Sequence, residues 1–304
     1  MAPRFGRVLT AMISPFTIDD ELDVEGARTL AEWLVEQGNE GLVIAGTTGE
    51  SPTLTHEEQI DLIAAVVEAV DVPVIAGAGS NDTKAAVELT ERCTEVGASG
   101  ILTVTPYYNR PSQQGLIAHF SAIANATNLP VMLYDIPVRS GRKIDTSTIL
   151  QLADEVENIV ALKDAAGDVA ETARVVAAAP EGFEVYSGED SLTLSLLSVG
   201  AVGTVSVASH WSTPETAELM EAFFSGDYIR ALEINRRLIP SYDFESGDLT
   251  PNPIPTKAMM KILNLPGGDC RLPMGPEPEW LAEKARGIHV QVASFACWHV
   301  QQMQ

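Results

Sequence analysis

The sequence is short of positive charge. It carries 19 Lys and Arg residues against 42 Asp and Glu residues, so the formal net charge is −23 at pH 7 and the pI is near 4.4. A surface with this excess of acid repels the phosphates of nucleic acids and of anionic lipids. We therefore predict no nucleic-acid partner and no membrane partner. An anionic substrate would need a local positive site.

Cysteine is scarce and has no recognisable spacing. Cys93, Cys270 and Cys297 form no CxxC motif and no metal-ligand pattern, so we predict no metal site and expect reduced thiols. Long apolar runs are missing too, because no stretch reaches the roughly 20 residues that span a bilayer. The N-terminal MAPRFGRVLTAM contains no signal-peptide core. These absences predict a cytoplasmic protein.

Nucleotide-binding motifs are also missing. No GxGxxG follows a predicted strand, which weakens a dinucleotide-binding interpretation. The Gly-flanked segment GTTGE lacks the GK[ST] of a P-loop. The sequence contains no internal repeat and no low-complexity segment.

Short apolar segments rich in strand-forming residues recur at intervals suited to βα units. They are Val8–Ile13, Gly41–Ala45, Pro73–Ala76, Gly100–Thr105, Pro130–Tyr134, Asn158–Lys163, Phe183–Tyr186 and Ala201–Val207. Segments with helical periodicity lie between them, and no hairpin signal is present. This alternation predicts an α/β fold, and eight repeats of it predict a (β/α)8 TIM barrel rather than an open doubly wound sheet.

Two helix starts carry clear local signals. Thr55 and Glu58 have the spacing of a capping box. Asn81 or Asp82 is placed to cap the helix predicted over Thr83–Val96.

The chain continues well past the eighth predicted strand. Residues 1–210 are predicted to form the barrel core, and residues 211–304 the last barrel helix and a C-terminal helical region packed on the barrel. The last ten residues, FACWHVQQMQ, are apolar without clear amphipathic order.

A lysine ends the sixth predicted strand. Four apolar residues precede Lys163 in the stretch NIVALKDAAGD, which is typical of a strand buried on both faces. Burial disfavours the ammonium form of a lysine, so Lys163 is a candidate amine nucleophile. Two alternatives stay open, an ion pair with a neighbour such as Asp164 and a side chain that reaches back to solvent.

Other reactive side chains follow neighbouring strands, where a barrel of this type places its active site. The turn that contains Thr47 and Thr48 could hold a small carboxylate with its hydroxyls and backbone N–H groups, or it is a plain βα turn. Tyr134 ends a strand, and Arg139 follows it as a fixed cation. Their alternatives are a core tyrosine and a surface arginine. Tyr108 lies in a Pro-bounded loop typical of interfaces and lids.

Together these groups predict keto-acid chemistry. The lysine can condense with a keto acid, and the phenol can move protons to and from the carbinolamine and enamine. The threonine turn can hold the keto acid's carboxylate, and the arginine can anchor a second anion. His56, His119 and His210 are scattered, and we interpret them as structural or surface residues.

Several motifs also carry a family resemblance. GTTGESPTLTHEE, VTPYYNRPSQQG, LYDIPVRSG, ALKDAAGD, YSGED and NPIP occur in the order and spacing of the dihydrodipicolinate synthase/N-acetylneuraminate lyase family of class I aldolases. The chain resembles this family from about Arg7 to Arg286, and its tail departs from the pattern. The resemblance implies a TIM barrel that condenses pyruvate with aspartate β-semialdehyde, the first committed step towards lysine and diaminopimelate.

The resemblance implies four catalytic residues. Lys163 would form the Schiff base, and Tyr134 would donate and accept protons. Thr47 would link Tyr134 to Tyr108, and the family pattern has this second tyrosine supplied by the adjacent subunit.

The substrate-binding residues are implied in the same way. Thr48 would bind the pyruvate carboxylate, with Gly188 and the backbone of Val205 lining that end of the site. Arg139 would bind the carboxylate of the semialdehyde. Thr47 and Arg139, within their motifs, favour the synthase branch over the sialate lyases. The resemblance implies no cofactor and no metal.

Family members are usually homotetramers built as dimers of dimers, and many are inhibited by lysine. Residues that match the lysine site are Ser51, His56, Asn81 and Tyr107. Gln59 and Ala85 stand where lysine-sensitive relatives often carry His and Glu. We therefore predict weak or absent inhibition by lysine.

Two alternative functions stay open at this point. One is another pyruvate-dependent aldolase of the family, acting on a 2-keto-3-deoxy sugar acid, since such relatives share Lys163 and Tyr134. The other is a catalytically silent barrel that binds a keto acid as a sensor or scaffold.

Overall fold

The computed structural model describes the backbone of residues 2–302 and the side chains of residues 2–292. Parallel strands close into a barrel in the order β1 to β8. The strands are β1 (Val8–Ala11), β2 (Gly41–Ile44), β3 (Val74–Gly77), β4 (Gly100–Val104), β5 (Val131–Asp135), β6 (Ile159–Asp164), β7 (Glu184–Ser187) and β8 (Gly203–Ser206). The predicted (β/α)8 TIM barrel is therefore confirmed, with every predicted strand in its place.

Helices surround the barrel and continue beyond it. The helices before β8 are α1 (Val24–Glu36), α2 (His56–Ala69), α3 (Thr83–Glu95), α4 (Gln113–Ala124), α5 (Pro137–Ser140), α6 (Thr146–Glu155), α7 (Val169–Ala178) and α8 (Thr193–Ser198). Those after β8 are α9 (Ser209–Phe224), α10 (Tyr228–Glu245), α11 (Ile254–Ile262) and α12 (Leu281–Gln302). The predicted capping box is present in full at Thr55 and Glu58, and Asp82 is the residue that caps α3.

The strands are buried on both faces, which explains their nearly continuous apolar sequences. One set of strand side chains faces the helices, and the other fills the barrel interior. The interior set includes Leu9, Val43, Met132, Tyr134 and Val205. Tyr134 and Val205 are thus held among packed side chains at the end of the barrel where the strands finish.

The region after β8 is joined to the barrel by one buried and one partly buried ion pair. Lys257 on α11 lies 2.7 Å from Glu50, which follows β2, and both side chains are buried. Arg271 donates to both carboxylate oxygens of Glu58 on α2, at 3.0 and 2.6 Å. The ring of Phe16 contacts both cations, with Lys257 Nζ 4.0 Å and Arg271 Cζ 4.3 Å from its centroid. The C-terminal region therefore packs directly against the loops at the mouth of the barrel.

The thiol of Cys297 and the apolar tail over residues 295–304 lie outside the described side chains. Cys93 and Cys270 are both buried as free thiols, and burial raises the pKa of each to about 12. In the part of the chain that the structure describes, no helix combines the length and the apolar character needed to cross a membrane.

The Arg271–Glu58 pair predicts a pH-dependent stability. The bonds from Arg271 hold the pKa of Glu58 at about 2, below its usual 4.5. Because the folded pKa is depressed, this stabilisation is complete above pH 4.5 and is lost as the pH falls from 4.5 towards 2. We expect Glu58→Gln to lower the free energy of unfolding at pH 7 by about 1–3 kcal/mol. Urea titrations of the parent and the variant between pH 2 and 7 measure this change in the free energy of unfolding.

The neighbouring variant Glu57→Gln is the matched control. Glu57 pairs with Arg92 on an exposed face of the same helix, where solvent screens the charges. We expect a smaller change in this control. A Glu58→Gln defect of equal size at every pH would contradict the linkage.

Candidate active site

Lys163 lies inside the barrel near the end of β6. Its side chain is 5% exposed, and its Nζ lies 4.3 Å from the centroid of the Tyr134 ring. The two residues are direct partners in the register between β5 and β6. Burial at this level excludes the alternative in which the lysine returns to solvent. The strand pairing therefore fixes the amine beside the phenol.

The alternative ion pair with Asp164 is also absent. The Asp164 carboxylate instead accepts hydrogen bonds from the Ala166 N–H at 2.9 Å and from the Thr172 hydroxyl at 2.6 Å. Among the described residues, Lys163 forms no ion pair. The amine is therefore not held by a carboxylate and is available to react with a bound ligand.

Gly188 makes room for the lysine side chain. A Cβ atom at Gly188 would lie 2.9 Å from Lys163 Cγ and 3.0 Å from Lys163 Cε, closer than real Cβ atoms approach. The Gly188 N–H donates to the Asp164 carbonyl at 2.7 Å, which ties the loop after β7 to β6. The loop is therefore held against Lys163 at a distance that only glycine permits.

The loop after β2 leaves hydrogen-bond donors free. Thr48 is buried and Thr47 is half-buried. The backbone N–H groups of these two residues donate to no protein acceptor within residues 2–292. Neighbouring N–H groups without acceptors in a tight turn form an anion-binding concavity. The turn can therefore hold a small carboxylate.

Three contacts from distant parts of the chain hold this loop in place. Ser14 donates to the Gly49 carbonyl at 2.6 Å. Asn252 Nδ2 donates to the Thr48 hydroxyl oxygen at 2.9 Å, and Lys257 pairs with Glu50. In the sequence, Asn252 begins the NPIP motif and Lys257 follows it closely. The motif by itself indicates no role for either residue. These supporting residues were not predicted.

The loop after β5 carries Arg139. The side chain is exposed on α5 and forms no ion pair among the described residues. The loop itself is anchored by the buried Asp135, which accepts from Lys143 Nζ at 3.0 Å and from the Ile144 N–H at 3.1 Å. Burial raises the pKa of Asp135, and the Lys143 charge opposes that rise. The guanidinium is thus a positive group with no internal partner on a fixed loop.

Not every predicted site residue is brought together. The structure places Lys163, Tyr134, Gly188 and Val205 in or against the barrel interior. Tyr108 is 91% exposed with a φ of 72° and is not among the side chains packed in the barrel interior. No hydrogen bond joins the Thr47 and Tyr134 hydroxyls in the described part of the chain. The Thr47 link to the two tyrosines therefore stays a prediction.

Two of the histidines are structural. His210 is buried, where its Nε2 accepts from the Ile13 N–H at 3.1 Å and its Nδ1 lies 2.8 Å from the Val207 carbonyl. Burial lowers the pKa of His210 and of His119 to about 4, so both rings are neutral at pH 7. No group of three or more His, Cys, Asp and Glu side chains among the described residues could hold a metal ion.

Comparisons with known proteins agree with this geometry. The sequence model of the dihydrodipicolinate synthetase family matches residues 4–288. The 4-hydroxy-tetrahydrodipicolinate synthase of Moorella thermoacetica is 49% identical over 273 residues, covering 89% of this chain and 92% of the relative.

Solved structures lead to the same family. A dihydrodipicolinate synthase from Bacillus anthracis superposes with a TM-score of 0.91 at 43% identity, covering 95% of this chain and 98% of the other. The enzyme from Cyanidioschyzon merolae, solved with lysine bound, superposes with a TM-score of 0.92 at 43% identity over the same shares of the two chains.

Proposed function

Because the chain belongs to the dihydrodipicolinate synthetase family, we propose that it catalyses the reaction of the 4-hydroxy-tetrahydrodipicolinate synthases. The family resemblance predicted from the sequence is thereby confirmed. The reaction condenses pyruvate with aspartate β-semialdehyde through a Schiff base. The observation that carries the proposal is the buried Lys163 amine beside the Tyr134 ring, with no ion pair among the described residues.

The first half of the reaction activates pyruvate. The Lys163 amine attacks the keto carbon, and the carbinolamine loses water to form an imine. A proton must reach the departing hydroxyl, and the Tyr134 phenol beside the amine is the group to supply it. Loss of a methyl proton from the imine then gives the enamine nucleophile.

The second half forms the carbon–carbon bond. The enamine carbon attacks the aldehyde, and the aldehyde oxygen takes up a proton. Attack by the amino group of the semialdehyde on the imine carbon closes the ring and releases Lys163 as a free amine. Arg139 would hold the carboxylate of this second substrate through a charge-assisted bidentate contact.

The pyruvate carboxylate would lie in the turn after β2. The Thr48 hydroxyl and the unoccupied backbone N–H groups supply donors for its oxygens. Gly188 and the backbone of Val205 would line the same end, where the absence of a side chain at Gly188 lets the loop lie close to Lys163. These donors give a protein of net charge −23 a local site for an anion.

We also propose that the active enzyme is a homotetramer built as a dimer of dimers. Tyr108 is 91% exposed on a loop with a left-handed backbone conformation, so it is available to a second subunit rather than to its own site. In this arrangement Tyr108 of one subunit joins Thr47 and Tyr134 of its neighbour in a chain of hydroxyl groups that moves protons.

Reductive trapping tests the proposed chemistry. Incubating the protein with pyruvate and borohydride should reduce the imine and add a pyruvyl mass to Lys163, located by peptide mass spectrometry. Lys163→Ala should lose both the label and turnover. An unlabelled parent protein, or a label on another lysine, would remove the mechanism. Labelling without turnover of any aldehyde would instead favour a silent keto-acid-binding barrel.

Arg139 tests the choice of second substrate. We expect Arg139→Ala to reduce kcat/KM for aspartate β-semialdehyde by about 100-fold or more, because a charge-assisted bidentate pair is lost. The pyruvate concentration that half-saturates labelling of Lys163 should stay within twofold. Arg142→Ala is the matched control, since that guanidinium donates to the Arg110 carbonyl instead. Faster turnover of a 2-keto-3-deoxy sugar acid, unaffected by Arg139→Ala, would favour the sugar-acid lyases.

Lysine should inhibit this enzyme weakly or not at all. Gln59 is buried and donates to the Ser51 carbonyl at 2.9 Å, and Ala85 offers only a methyl group. Neither residue supplies a negative charge for a lysine ammonium group. Loss of one carboxylate partner weakens a buried contact by about 1.5–3 kcal/mol, or about 10- to 100-fold.

Steady-state assays with added lysine test this prediction, because they measure the inhibition constant. The double variant Gln59→His with Ala85→Glu should become more sensitive to lysine than the parent. An inhibition constant of the parent in the micromolar range would show that the prediction is wrong.

A further inference from the structure

The side chain of Asn252 contacts the proposed pyruvate-binding turn from a distant part of the chain. Its Nδ2 lies 2.9 Å from the Thr48 hydroxyl oxygen, across 204 residues of sequence. Thr48 is 3% exposed and Asn252 is 7% exposed, so water does not compete for this contact. The Asn252 Oδ1 faces a different group, the Thr256 hydroxyl, at 3.4 Å.

The direction of this hydrogen bond decides where the Thr48 proton can go. A hydroxyl has one hydrogen to donate and two lone pairs to accept with. The amide N–H of Asn252 occupies a lone pair of Thr48, and the Thr48 hydroxyl finds no acceptor among the described residues. Its hydrogen is therefore available to a bound ligand. The Thr48 hydroxyl is held as a donor.

The element that carries Asn252 is itself rigidly attached to the same turn. Asn252 lies two residues before α11, and Lys257, the fourth residue of that helix, pairs with Glu50 at 2.7 Å. The helix thus contacts the turn at two points, Thr48 and Glu50. Two contacts from one rigid element fix the position and the rotation of the turn, which a single contact would not.

We propose that Asn252 is a positioning residue that presents the Thr48 hydroxyl as a hydrogen-bond donor to the carboxylate of a small keto acid. The inference rests on the proposed function for the identity of that ligand, pyruvate. Asn252 itself does not touch the substrate. Asn252 affects keto-acid binding only through its hydrogen bond to Thr48.

The test replaces Asn252 in two backgrounds. Asn252→Asp keeps the shape of the side chain but converts the donor into an acceptor, which draws the Thr48 hydrogen away from the ligand. Asn252→Ala removes the contact and decides the question should the aspartate variant not fold. Each change is made in the parent and in Thr48→Val. The readouts are the pyruvate concentration that half-saturates borohydride labelling of Lys163, and kcat.

In the parent background we expect Asn252→Asp to raise the half-saturating pyruvate concentration about tenfold or more, and Asn252→Ala about threefold or more. The fall in kcat should be smaller. In the Thr48→Val background Asn252→Ala should not move half-saturation further, because the hydroxyl on which Asn252 acts is gone, and Asn252→Asp should move it less than in the parent, by charge repulsion alone. Ser246→Ala is the control, since Ser246 Oγ accepts from the Asn252 backbone N–H and not from its side chain. It should stay within twofold of the parent.

Equal shifts in both backgrounds would show a general structural role for Asn252 and overturn the inference. An absence of any shift in the parent background would do the same. Failure of the proposed function looks different, because the parent protein itself would then carry no pyruvyl label on Lys163.

Discussion

The structure depends on excluding water from the Lys163 amine without placing a carboxylate at ion-pair distance from it. Lys163 is buried beside the Tyr134 ring, and the nearest carboxylate along the chain, Asp164, is held by other donors. A carboxylate at ion-pair distance would hold the amine in a charge-assisted hydrogen bond and keep it from the substrate. The Ala166 N–H and the Thr172 hydroxyl therefore matter to the chemistry, although neither lies next to the amine.

The C-terminal helical region supports the barrel mouth. A (β/α)8 barrel can close without α11, yet α11 and the residues just before it supply Lys257 and Asn252 to the turn after β2. Removing one partner of a buried ion pair such as Lys257–Glu50 costs about 3–5 kcal/mol, because the other charge is left unpaired. That cost makes the turn part of a rigid frame. Its donors are then arranged before a substrate arrives, which lowers the entropy lost on binding.

The sequence was informative where function and local pattern coincide. Apolar segments at regular spacing were enough to predict the barrel, and the lysine at the end of such a segment made Lys163 a candidate. Strand order in a parallel barrel then places Tyr134 beside it, since β5 and β6 are neighbours. The capping box at Thr55 and Glu58 is equally local, and it is present as predicted.

Contacts between distant residues were beyond this kind of prediction. Asn252 and Thr48 are 204 residues apart, and no periodicity connects a residue before α11 with a turn after β2. Gly188 was predicted to line the substrate site, but its close approach to Lys163 depends on the packing of β7 against β6. Tyr108 shows a further limit, because the contacts that we propose for it lie in a second subunit and not within its own chain.

The negative net charge of the protein is a further constraint on how it can bind an anionic substrate. A chain with 42 acidic residues and 19 basic residues repels an anionic substrate at long range, and salt screens that repulsion beyond about 8–10 Å. Attraction must therefore be local. The backbone N–H groups of the turn after β2 are fixed dipoles that add no net charge, and they need no counter-ion when the site is empty. An acidic protein can hold a carboxylate in this way without a cluster of lysines, and Arg139 remains the one cation that we assign to the second substrate.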